Sequence, residues 1–426
     1  MLEEAFPECL DEKHKSGRRT DVWHFPNFGG REMRDMSSVA SGVFSIRWLP
    51  SLAAAALTAM VGVSTANAGH GAGGDPYVFT NASGVGSGDR LWSNAANWNQ
   101  PEEPGPGHVA WINFGAPPAI INYAAPSVGE FYVGQGGGDG GVVVTSGGSI
   151  ISGVGSAAVG SMHLARDSGR NGTLLVEGTG YLQLGALGTT GQSSGGTLQI
   201  GHEGGTATAT ITNGTVFTGA TTIANTGIAA GLPAANGSLT ITGGALNALQ
   251  IGVGQNNAVS SGGVGHLTIG GDATVNTVNH IFLRPGGRGN FTVDGSGATI
   301  SLNRAGSTGF EVTNGSVVNF NADSGGFSTV NIPDSTMRFS GPDGIINVDA
   351  TALGIGTYDL FTFGRGYFST TATNSWSTEN LTFAPGLSGD ILYNANSIQL
   401  SVVPEPASLG LLAIGGLFGL RRRRRA

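Results

Sequence analysis

The side chains able to carry chemistry in this 426-residue chain are few and widely spaced. Glu102 and Glu103 are the only adjacent carboxylates between Gly69 and Val403, and they sit in a Pro/Gly loop. Glycan-cleaving chemistry on a β scaffold needs carboxylates clustered on one face, or a base beside Ca²⁺. Here 19 acidic residues and 8 Arg are spread thinly over Gly69 to Val403, a formal net charge of −11. No repeat of the body carries Asp-Asp or Asp-x-Asp, so the residues predict a non-enzymatic protein. The histidines, His163, His202, His266 and His280 among them, never fall at short metal-ligand spacing. They read as solvated turn positions, and no metal or cofactor is expected. Trp92 and Trp98, with Trp111, are candidate glycan contacts through ring stacking; the competing reading makes them core of a terminal cap. Thr206-x-Thr208-x-Thr210 and Thr240-x-Thr242 place hydroxyls on one face of a strand. Such ladders order water or ice when every repeat carries them. The strand propensity of Thr explains these two without a ligand.

Composition excludes further classes. Lys13 and Lys15 are the only lysines and Cys9 the only cysteine, all near the N-terminus. The rest of the chain therefore holds no Cys nucleophile, Schiff-base Lys, disulfide framework or P-loop Lys. A net charge of −8 without a basic patch in the body excludes a basic nucleic-acid binder. Gly supplies 75 residues, about 18% against roughly 7% in average proteins. Charged residues make up 11%. With 39% hydrophobic residues the chain still has a core to bury. The balance is that of an extracellular all-β protein.

The elements that must position these residues are short strands between Gly-rich turns. One phrase recurs: Gly-x-apolar-x-apolar, a small or Asn-Gly turn, then a second apolar stretch. Copies include GTLLVEGTGYLQLG (Gly172 to Gly185), ATATITNGTVFTG (Ala207 to Gly219) and GNFTVDGSGATISL (Gly289 to Leu302). The last apolar residues of the first strands are Val144, Val176, Ile211, Ile241, Ile269 and Val293, spaced 32, 35, 30, 28 and 24 apart. Periods of 20 to 50 residues indicate repeats. Three strands per repeat predict a parallel β-solenoid, β-helix-like, with β caps over its open edges. A twisted sandwich or a propeller shares the local pattern, and the uneven period speaks for those alternatives. The Asn-Gly pairs at Asn171, Asn213, Asn236 and Asn314 read as left-handed corners. Gly136 to Gly140 (GGGDG) resembles the Gly/Asp turns of RTX β-rolls, but it occurs once and lacks their nine-residue period.

The two ends read as addresses. Leu49 to Val63 is a short apolar run after Arg47, followed by the small-x-small site Ala66-x-Ala68. That is a secretory signal peptide, cleaved by signal peptidase before Gly69. Residues 1–35 read as sequence upstream of a true start at Met33 or Met36, or as an extended leader. At the other end Val402 to Ser408 (VVPEPAS) leads into LGLLAIGGLFGL, then Arg421, Arg422, Arg423, Arg424 and Arg425. This three-part tail resembles the PEP-CTERM sorting signal of Gram-negative bacteria. The resemblance implies recognition of Pro404, Glu405 and Pro406 by an exosortase, a membrane transpeptidase-like enzyme. Ala407 to Leu420 spans about 21 Å as a helix, short of a roughly 30 Å bilayer core. It is expected to lodge there transiently, with the arginines as a membrane stop on the cytoplasmic side. A permanent tail anchor is the alternative. Trp92-Ser93-Asn94-Ala95-Ala96-Asn97-Trp98, with Pro101, Pro104 and Phe114, resembles the start of autotransporter-like and PEP-CTERM surface proteins.

The expected organisation is a leader and signal peptide (1–68), an N-terminal β cap (69–134), a repeat solenoid (135–330), a C-terminal β cap (331–403) and the sorting signal (404–426). The expected function is that of an exported cell-surface or extracellular-matrix protein. Its expected partners are exosortase and signal peptidase during export, the inner membrane transiently, and then extracellular polysaccharide or envelope components, with no nucleic acid. The alternatives are a glycan- or ice-binding module and, ranked lower, a polysaccharide-degrading enzyme.

Overall fold

A computed structural model of the chain describes residues 75–405, apart from 82–88, 114–117, 137, 154–159, 188–192, 226–233, 255–262, 285–287, 305–307, 314, 341–343, 366 and 370–375. Ala66 and Ala68 of the signal-peptidase site, Pro406, the apolar run after it and Arg421 to Arg425 lie outside the described residues. Among the described residues the chain is nearly all β, with one 3-10 turn at Ala95–Asn97. No helix among them is long and apolar enough to cross a membrane.

Two sheets, both rich in parallel pairing, account for the strands. Ten strands from Ala119–Ile121 to Thr378–Phe383 form the smaller sheet, each paired in parallel with the corresponding strand of the next repeat. The 19-stranded sheet holds two further parallel ladders. Long strands such as Thr215–Asn225 and Thr274–Leu283 belong to both: Val216 pairs with Leu182 in one ladder, and Ile223 pairs with Ile200 in the other. Each repeat therefore adds one strand length to three parallel ladders.

Register explains the core. Val144, Val176, Ile211, Ile241, Ile269 and Val293 lie directly beside one another in successive strands, and the row continues through Phe320 and Val348. All of them are buried. Side chains alternate across a strand, so a one-residue slip would turn this entire row to solvent. Burying each such side chain stabilises the fold by about 1.5–3 kcal/mol. Toward the C-terminal end phenylalanines fill the interior: Phe310 packs edge-on against Phe291 and Phe361, with centroids 5.2 and 5.3 Å apart. Parallel pairing extends beyond residues 135–330 on both sides, from Tyr77–Phe79 with Val109–Ile112 to Ile345–Ala350 with Thr378–Phe383.

The Asn-Gly corners need a correction. Among the described members only Asn213, with φ +63°, and Gly315, with φ +75°, are left-handed. Gly172 and Gly237 instead stand in an inward row of small residues, Gly140, Gly172, Ala207, Gly237, Gly265 and Gly289. A Cβ on Gly237 would lie 2.2 Å from the Ile200 carbonyl oxygen, and one on Gly172 would lie 2.5 Å from the Ala165 nitrogen. At these two positions glycine is required for space rather than for backbone angle.

Candidate functional site

The final strand carries the chain from the fold into the sorting signal. Ser397–Pro404 runs antiparallel between Gly356–Phe363 and Leu387–Asn394. Asn394 opens the tight turn into it, donating from Nδ2 to Gln399 Oε1 at 2.7 Å, while Gln399 Nε2 donates to Asp359 Oδ1 at 2.7 Å. Val402 is buried, Val403 is 43% exposed, and Glu405 is exposed. Pro404 pairs with Leu387, and its missing N–H suits the end of a ladder. The Glu405 N–H donates to the Gly386 carbonyl at 2.9 Å, the last backbone bond of the described chain. No spacer separates the paired strand from the Pro-Glu-Pro motif. The motif thus begins within the paired strand, whose last bond to the sheet among the described residues is that of the Glu405 N–H.

The tryptophans lie elsewhere. Trp92 and Trp98, candidate glycan contacts on sequence, are 0% and 5% exposed. Their rings meet edge to face at 4.6 Å, and Trp98 Nε1 donates to the Trp92 carbonyl at 2.9 Å. Asn94 caps the intervening 3-10 turn, and buried Asn97 donates to the Leu91 carbonyl at 3.0 Å. The motif folds both rings inward against Phe79 and Phe131, so neither has a face open for a sugar. Trp111 points outward in a row with Tyr132, His163 and Gln199. Tyr132 and His163 stack face to face at 4.8 Å, and the Arg166 guanidinium lies 5.5 Å from the Tyr132 ring centre. Trp111 meets Tyr132 edge to face, with centroids 6.3 Å apart.

The polar candidates serve packing. Glu102 accepts from the Tyr77 hydroxyl at 2.6 Å, and Glu103 accepts from the Tyr123 hydroxyl at 2.5 Å. The two carboxylates thus engage different partners rather than a shared site. Burial and then Glu102 push the Tyr77 hydroxyl up to about 12, and burial raises Glu103. Asp139, in the GGGDG segment, accepts from the Asn171 backbone N–H and from its side chain at 2.8 and 3.0 Å, linking successive repeats. Those bonds hold its carboxyl below the usual range. His163, His202, His266 and His280 lie on strands, not in turns. Burial pushes His163 and His280 down to about 4 and lowers His202. Among the described residues no group of three His, Cys, Asp or Glu side chains is placed to hold a metal.

One outward surface was not expected from sequence. Thr210, Thr240, Thr268 and Thr292 lie side by side on four successive strands of the ten-stranded sheet. Asn319, Asn347 and Asn380 continue the row. Asn380 donates to Asn347, Asn347 to Asn319, and Asn319 to Thr292 Oγ1, at 2.7, 2.7 and 3.1 Å. The signal was present in the chain: each of these residues from Thr210 to Asn347 immediately precedes a member of the buried apolar row, and Asn380 precedes the half-buried Leu381.

Residues 402–425 match the PEP-CTERM protein-sorting motif. The matched span contains Pro404, Glu405, Pro406 and all five arginines. A chain with this motif is an exosortase substrate, exported to the cell envelope or surface. No curated protein and no solved structure matches the chain.

Proposed function

We propose that this is a non-enzymatic cell-surface or extracellular-matrix protein that associates with exopolysaccharide or envelope components after sorting. In this reading the body is a parallel β-solenoid with β caps, like autotransporter-type repeat proteins, and the apolar tail holds it at the inner membrane only until exosortase acts. The observation that carries the proposal is the seamless junction between the last paired strand and Glu405. It delivers the motif to a membrane enzyme while leaving the folded body outside. The three parallel ladders support the solenoid, since successive repeats stack strand on strand. Carboxylates committed to tyrosines and to inter-repeat bonds support a non-enzymatic body.

The test is a chain lacking residues 404–426, produced in the native host. It is expected to be exported yet lost from the surface and matrix fraction. Unchanged surface delivery would overturn the proposal.

A further inference from the structure

The outward face of the ten-stranded sheet differs chemically from the rest of the body. Its two central outward rows, one through Thr208, Ser238, His266 and Asn290 and one through Thr210, Thr240, Thr268 and Thr292, contain no Asp, Glu, Lys or Arg. The charged groups stand at the margin, as Glu177, Asp294 and Asp349 do at the strand ends. The body as a whole is acidic, so its field repels anionic polymers, while this face offers an uncharged strip.

The spacing is regular in two directions. Neighbouring strands lie about 4.8 Å apart, and alternate residues on a strand lie about 6.8 Å apart. The Thr–Asn row crosses seven strands, from Thr210 to Asn380, and is about 29 Å long, while the first three strands of the sheet carry Ile120, Val143 and Leu175 in the same row. Each Thr hydroxyl donates one hydrogen bond and accepts others, and each Asn amide has two N–H groups, of which the amide ladder uses one. A linear polymer of uncharged hydroxylated rings, each about as long as one strand spacing, meets donors and acceptors at every step. Mixing Thr with Ser, His and Asn suits such a polymer better than a crystal lattice, which demands one repeated group.

We infer that the hydroxyl–amide face of the ten-stranded sheet is a binding surface for a neutral polysaccharide chain laid along the stacking direction. This inference rests on the reading of the protein as polysaccharide-associated and specifies the surface and the ligand charge.

The test uses the processed protein purified from its native host, with regenerated amorphous cellulose, dextran gel and alginate gel as probes. The wild type is expected to be retained on at least one neutral matrix about tenfold more strongly than on alginate. Thr240→Glu with Thr268→Glu brings two carboxylates to the outward face and is expected to remove that preference. Thr215→Glu with Thr274→Glu, outward on the other sheet, is expected to leave it intact. Equal retention of all variants, preference for alginate, or no neutral retention would overturn the inference. So would thermal hysteresis that the face variant loses without any gel retention, which would assign the face to ice. In the host, the face variant keeps its sorting tail and is expected to reach the surface, then escape into the medium. Failure to reach the surface at all, in the wild type, would instead count against the sorting proposal.

Discussion

Val176 and Ile211 lie opposite each other in a parallel pair although 35 residues separate them, whereas Ile269 and Val293, paired in the same row, are 24 apart. The repeat is therefore kept by strand register and not by chain length. Connecting segments take up the difference, as surface loops tolerate insertions at little cost in free energy.

The inward row of small residues makes one expectation sharp. Gly237→Ala places a methyl 2.2 Å from the Ile200 carbonyl, a backbone atom with nowhere to move. It is expected to destabilise the fold by about 1–3 kcal/mol, read as a lower urea midpoint. Gly354→Ala has nothing within 4 Å of the new methyl and is expected to be neutral within about 0.5 kcal/mol. Equal effects at the two sites would contradict the packing account.

Burial of the paired tryptophans separates two roles. Trp98→Ala is expected to cost about 3–5 kcal/mol of stability, because it empties a core position and leaves the Trp92 carbonyl without its indole donor. A variant of undiminished stability that loses polysaccharide binding would restore Trp98 as a glycan contact.

Stability is expected to fall in mild acid. His163 and His280 titrate near 4 in the fold against an ordinary value of 6.5, so the unfolded chain binds more protons between those limits. The contribution of the neutral rings is complete above about pH 6.5 and is lost as the pH falls toward 4. Urea midpoints measured across this range should decline, and His163→Gln with His280→Gln should flatten the decline. A midpoint independent of pH in that window would contradict the burial of these rings.

Processing is expected to leave the last hairpin intact. Ser388 and Val403 are register partners, so Ser388→Cys with Val403→Cys places two thiols at a separation a disulfide spans. From Gly69 onward the chain holds no cysteine to compete. Oxidised and reduced forms should be cleaved by exosortase at similar rates. A block by the staple would mean that the enzyme must strip the strand from the sheet.

Much of this was legible in the chain. The apolar row from Val144 to Val293 could be read directly, because a residue with one face buried fixes its own register. The sorting signal was legible because its three parts act as sequence and need no fold. The Thr–Asn face was missed for a physical reason: Thr210 and Thr240 gain meaning only when their strands are laid side by side, and an uneven period hides that alignment. The tryptophans were ambiguous because an aromatic pair serves a core or a ligand equally well until the turn between them is known. The Gly172 and Gly237 corners misled because glycine answers both to backbone angle and to crowding, and only the neighbouring carbonyl or amide decides between them.

The most direct test of the sorting account is the intact mass of the protein recovered from the surface fraction of its native host. The account predicts a chain that begins near Gly69 and ends within Pro404 to Pro406. A surface protein that still carries Arg421 to Arg425, or one held with that tail in the inner membrane, would contradict it.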